Sequence, residues 1–148
     1  MTESPLITGR TQARERALQL LYEAEQRDES TELILGQQLT RIETYARDVV
    51  SGVESDLADI DDLIADHLND WPIERMAAID RTIARIAVYE LRSRPDVPLA
   101  VVLNEAVELA KAYSTEDSGR FLNGVLAAIA AEVRDANGQP KVAPVETT

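Results

Sequence analysis

Apolar residues along this chain recur at intervals of three and four, and no segment sustains the alternation of a strand. The pattern predicts an all-α fold of about seven helices. A first, over about residues 11–26, carries Ala17, Leu20, Leu21 and Ala24 on one face; a second, capped by Ser30 or Thr31, carries Leu33, Ile34, Leu35 and Leu39, with Gly36 weakening its middle. A third takes Ile42, Tyr45, Ala46, Val49, Val50 and Val53 inward, and a fourth, capped by Ser55 or Asp56, takes Leu57, Ile60, Leu63, Ile64 and Leu68. Trp71-Pro72 should end it, because a residue before proline is pushed out of the α region. The fifth stripe is Met76, Ile79, Ile83, Ile86 and Ala87. After a turn enforced by Pro95 and Pro98 comes a sixth, with Leu99, Val102, Leu103, Ala106, Leu109, Ala110 and Tyr113. Helix seven, capped by Asp117 or Ser118, buries Leu122, Val125, Leu126, Ile129 and Val133 and stops at Asn137-Gly138. These elements divide into two packed helical bundles, residues 1–54 and 55–138, followed by a tail over 139–148 that reads as disordered.

The chain has 148 residues, 45% of them apolar, enough for one domain or two small subdomains sharing a core. It has no cysteine, which excludes disulfides and thiolate metal sites. With no secretory leader pattern and no apolar run of membrane-spanning length, the expected location is the cytoplasm. The formal charge of −12 argues against general adhesion to nucleic acid and for a basic partner, so any RNA binding must come from a local patch.

Four groups of residues are candidates for chemistry. Arg10 and Arg14 lie one turn apart on the first helix, with Arg16 pointing away. A helix dipole disfavours cations at its start, so a phosphate or a carboxylate from another helix must favour them. Phe121, the only phenylalanine, lies about 100° around helix seven from Leu122, on the flank of its buried stripe. It is either core or a platform on which an unpaired base stacks while Arg120 and free helix N–H groups meet phosphate. Asn104, Glu105, Asn123 and Gly124 read as architectural, the glycine allowing close helix packing and the amides satisfying backbone groups. Asp56, Asp59, Asp61, Asp62 and Asp66 with His67 are the one place to consider a metal, but the chain has no second histidine and such aspartates are usually a solvated face. Neither a nucleophile with its base nor a glycine cradle for phosphate is present, so no cofactor and no enzymatic activity are expected.

Several blocks in order carry a more specific signal. Ala13-Arg14-Glu15, Ala17-Leu18-Gln19 and Leu21-Tyr22 are followed by Ile79-Asp80-Arg81, Arg85-Ile86-Ala87-Val88-Tyr89-Glu90-Leu91 and Val97-Pro98. Then come Asn104-Glu105-Ala106-Val107-Glu108-Leu109-Ala110-Lys111, Asp117-Ser118 and Phe121-Leu122-Asn123-Gly124-Val125-Leu126. Together they resemble the NusB family of bacterial transcription antitermination factors, over nearly the whole chain except about residues 27–40 and the last dozen. The resemblance implies an RNA-binding surface made by Arg10, Gln12, Arg14, Arg16, Lys111, Ser118, Arg120 and Phe121, with Thr11 and Gln12 standing where the family often has arginine. It implies that Tyr22 and Asp80, flanked by Arg81 and Arg85, dock NusE, a small-subunit ribosomal protein. It further implies binding of boxA-type single-stranded RNA, above all in ribosomal RNA transcripts, and an indirect link to elongating RNA polymerase. A protein adaptor that binds no RNA, and a NusB-like domain partnering an RNA-modifying enzyme, are the rival readings.

Overall fold

The computed structural model describes residues 9–141. Seven α-helices follow one another among them: α1 (Gly9–Arg27), α2 (Thr31–Gly36), α3 (Thr44–Ser55), α4 (Leu57–Asp66), α5 (Ala78–Ser93), α6 (Leu99–Tyr113) and α7 (Glu116–Val133). A single 3-10 turn, Ile73–Arg75, precedes α5. No described helix is long and apolar enough to cross a membrane.

The centre of the molecule is α5, which packs against α1, α3, α4, α6 and α7. The sequence pattern marked one inward stripe on it, yet every residue from Thr82 to Leu91 except Arg85 is buried. A helix surrounded by neighbours has no solvent face, and alanines at 84 and 87 let those neighbours approach. Ile79, expected inside, is only half-buried. One apolar cluster runs from Ala13 on α1 to Ala130 on α7, so α5 ties both halves of the chain into a common core. Fully buried side chains such as Leu18, Ile60, Ile83, Leu122 and Ile129 each contribute about 1.5–3 kcal/mol through removal from water.

Helix ends differ from expectation in instructive ways. Ser30 does cap α2, accepting from the Leu33 N–H, but α2 stops at Gly36 and leaves Leu39 fully exposed. Asp56 sits at the start of α4 without a side-chain cap bond. α4 ends at Asp66, before Trp71-Pro72, and the chain turns through Asn69 and Asp70 at φ of 52° and 69°. Neither Asp117 nor Ser118 caps α7; Thr115 does, its hydroxyl accepting from the Ser118 N–H at 2.9 Å. Helix seven ends at Val133, and Gly138, at φ 79°, folds the chain back so that Arg134 and Pro140 form an antiparallel bridge. The start of the segment read as a disordered tail is therefore tied down, with Lys141 N–H donating to Val133 C=O at 2.7 Å. Its remainder, residues 142–148, lies outside the described residues.

Two packing features were invisible in the pattern. Gly52 of α3 lies under the Tyr89 ring, where an added Cβ would stand 2.0 Å from a ring carbon. Arg134, 3% exposed, donates to the carbonyls of Glu90, Leu91, Arg94, Val97 and Gly138, closing the C-terminal end of α5 against the end of α7. The glycine expected to mediate close helix packing does not: Gly124 is exposed and nothing lies within 4 Å of its Cβ position. Gly119 is the buried one, with Val107 of α6 3.6 Å from where its Cβ would be.

Candidate nucleic-acid interface

Helix α1 begins with four candidates, and the structure separates them. Arg10 is exposed; its guanidinium pairs with Asp96 at 2.8 Å and lies 4.6 Å from the centre of the Tyr45 ring. Arg94 shares both partners, and its hydrogen bonds, more than those of Arg10, hold the Asp96 carboxyl well below the usual carboxylate range. Gln12 is exposed and has no hydrogen-bond partner among the described residues. Arg16, half-buried, donates to Gln38 Oε1 at 2.8 Å.

Arg14 is different. It is 2% exposed, its Nε bonds both oxygens of Glu90 at 3.1 and 2.8 Å, and its Nη1 reaches Glu105 at 3.1 Å. The carboxylate reading of Arg14 is the one the structure supports, and a phosphate contact is closed to this side chain. Burial works against the Arg14 charge most strongly of any one influence, but Glu90, Tyr45 and Glu105 together outweigh it and the pKa is raised. Burial also pushes the Glu90 carboxyl up, with Arg14 and the Tyr45 hydroxyl pulling it back. Tyr45 donates its O–H to Glu90, so the interior holds a hydrogen-bonded network that joins α1, α3, α5 and α6.

The remaining candidates lie on α6 and α7. Phe121 is 46% exposed, so its ring is not core. Arg120 is exposed and pairs with Asp117 one turn back; Lys111 is exposed and lies 3.7 Å from Glu108. Ser118 accepts from Ser114 and Thr115 hydroxyls and donates to Asp80 Oδ2 at 2.7 Å. That bond links an RNA candidate to a partner candidate and anchors the start of α7 on the start of α5.

Asp80, which the resemblance assigns to a docking surface, is buried. It is 9% exposed, and its second oxygen is buried without a hydrogen-bond partner among the described residues. Arg81 and Arg85 are half-buried: Arg81 bonds Glu25 and the Met76 carbonyl, and Arg85 grips Asp61 with two bonds of 2.8 Å. Tyr22 is half-buried with no hydrogen bond among the described residues. Of the acidic run weighed for a metal, Asp61 is committed to Arg85, Asp56 and Asp59 face Arg92, and His67 lies near Glu132.

Tyr113, the last position of the α6 stripe, has a role that spacing does not reveal. It is 36% exposed, and its hydroxyl donates to Glu15 and accepts from Gln19, holding the end of α6 on α1. A tyrosine at the last position of a stripe was the available signal, since its O–H needs a partner. Nothing in the spacing pointed to Asp96 as the partner of Arg10.

This arrangement belongs to a known scaffold. A sequence model described as the NusB family matches residues 11–131. The chain is a member of the NusB family. It is 44% identical over 131 residues to the transcription antitermination protein NusB of Salinispora arenicola, covering 84% of this chain and 96% of that one. The protein of the same name from Sorangium cellulosum is 43% identical, with 82% and 91% covered. Among solved structures, T. maritima NusB superimposes with a TM-score of 0.78 at 38% identity, covering 86% of this chain and 94% of that one. A NusB chain in a complex of the antitermination factors NusB and NusE with double-stranded RNA gives a TM-score of 0.68 at 28% identity, covering 83% and 96%. The all-α fold is therefore the NusB fold.

Proposed function

We propose that this chain is a cytoplasmic, non-enzymatic transcription antitermination factor. It binds boxA-type RNA together with NusE, and the assembly helps RNA polymerase read through ribosomal RNA operons. The observation that carries this is the likeness, across 83% of the chain, to a NusB solved with NusE and RNA. In that complex the RNA is double-stranded, whereas the exposed Phe121 ring and its neighbour Arg120 suit an unpaired base and its phosphate. Arg10, Arg16 and Gln12 serve as the α1 contacts, Arg10 exchanging Asp96 for phosphate. Lys111 adds charge, and Ser118 acts by fixing the start of α7. Arg14 acts through position alone, holding α1 on the core.

NusE docks over Tyr22 with Arg81 and Arg85 beside it, and the buried Asp80 underlies that surface. A chain of charge −12 suits a basic ribosomal protein. Each contact is weak, and joining RNA and NusE on one scaffold makes the sum specific.

The adaptor reading, in which no RNA is bound, is favoured by one fact: Arg14 spends its charge inside the protein. Salt titration separates the two. Binding of a boxA RNA in the presence of NusE should weaken with salt, and Arg10→Ala with Arg16→Ala should flatten the log–log slope by about 0.7 per lost phosphate contact. Weaker binding at an unchanged slope would remove these arginines from the phosphate backbone, and no RNA retention at low salt would establish the adaptor.

A further inference from the structure

Between α6 and α7 lies a groove of about 570 Å³, lined by Asn104, Lys111 and Glu108 on one side and Asn123, Arg120 and Glu116 on the other. We propose that this groove is a base-reading subsite, in which the side-chain amides of Asn104 and Asn123 hydrogen-bond the edge of an unpaired nucleobase. The inference rests on the RNA-binding reading and adds to it the residues that select sequence.

Asparagine in a helix interior is less favourable than alanine, because its amide competes for backbone partners. Asn104 and Asn123 sit inside α6 and α7 with no hydrogen bond among the described residues, so the backbone-satisfying role expected of them is not performed. Both are exposed, and both open into the same groove. They weaken their helices and return nothing to the fold.

The chemistry of the groove narrows the occupant. Its formal charges cancel, Lys111 and Arg120 against Glu108 and Glu116, so net charge does not make it a site for an isolated phosphate or a cationic peptide. A carboxamide offers two donors and an acceptor in one plane, which matches the Watson–Crick edge of an unpaired base. Leu103, Val107 and the small Gly119 add an apolar wall and floor for the base itself. At 3.7 Å the Lys111–Glu108 pair is loose, leaving the ammonium able to turn to a flanking phosphate.

The test compares two RNAs of equal length, a boxA sequence and a base-permuted control, binding to the protein with NusE present. Wild type should prefer boxA. The double variant Asn104→Ala with Asn123→Ala should lose about tenfold in boxA affinity, as for one lost bidentate base contact. It should leave the control RNA and the salt slope unchanged, since neither residue carries charge. Its melting temperature should hold or rise. Retained preference for boxA in the variant would overturn the proposal, as would equal weakening on both RNAs, a fall in melting temperature, or a loss confined to NusE association. A wild type that binds neither RNA would instead sink the RNA-binding reading, and this inference with it.

Discussion

Phe121 is about half exposed on the flank of α7, so truncating it removes little buried surface. Phe121→Ala should cost far less than the about 3–5 kcal/mol of a core phenylalanine, yet remove about 1–3 kcal/mol of RNA binding. Thermal melts and RNA titration on the same preparation check both halves; a large drop in melting temperature with unchanged affinity would contradict them. Arg14 should behave in the opposite way. Arg14→Ala leaves Glu90 buried without its counterion and should destabilise the fold by about 3–5 kcal/mol. The pH dependence follows from the direction of the Glu90 shift. Burial already raises its folded pKa, and loss of Arg14 raises it further. A group raised in the folded state contributes stability below its unfolded pKa and loses it as pH rises through the folded value. The deficit of Arg14→Ala should therefore be largest at neutral pH and shrink as pH falls toward about 4. A deficit independent of pH would place the cost in lost packing.

At the scale of elements, the hydrophobic period made all seven helices legible, because period alone distinguishes helix from strand. It could not reveal that α5 is enclosed, since Glu90 and Asp80 read as surface residues until their partners Arg14 and Ser118 are known. Helix ends were less legible for the same reason: Thr115 and Asp117 are equally good caps on paper, and only backbone geometry chooses. Arg134 is the clearest case of a role with no sequence signal, as four of its five acceptors lie about forty residues away, between Glu90 and Val97, and the fifth is Gly138. Arg134→Lys keeps the charge but offers three donors to those carbonyls. It should lower stability by about 1–3 kcal/mol and speed amide exchange at the end of α5. Unchanged exchange there would mean that the carbonyls find other partners.

For the whole molecule, the candidate site is drawn from resemblance more than from residue chemistry. Arg10, Gln12 and Arg120 stand exposed, while Arg14 and Asp80 are buried, and spacing cannot disclose the partners that make a buried charge tolerable. A chain of net charge −12 that binds RNA needs help against repulsion, and a basic partner supplies it. The central claim is then one of linkage: NusE must tighten RNA binding, and RNA must tighten NusE binding by the same factor. Titration calorimetry of boxA RNA into this protein alone and into its complex with NusE measures that factor directly. The account predicts tighter binding to the complex than to this protein alone, by about 5–150-fold. Equal RNA affinity with and without NusE would contradict it.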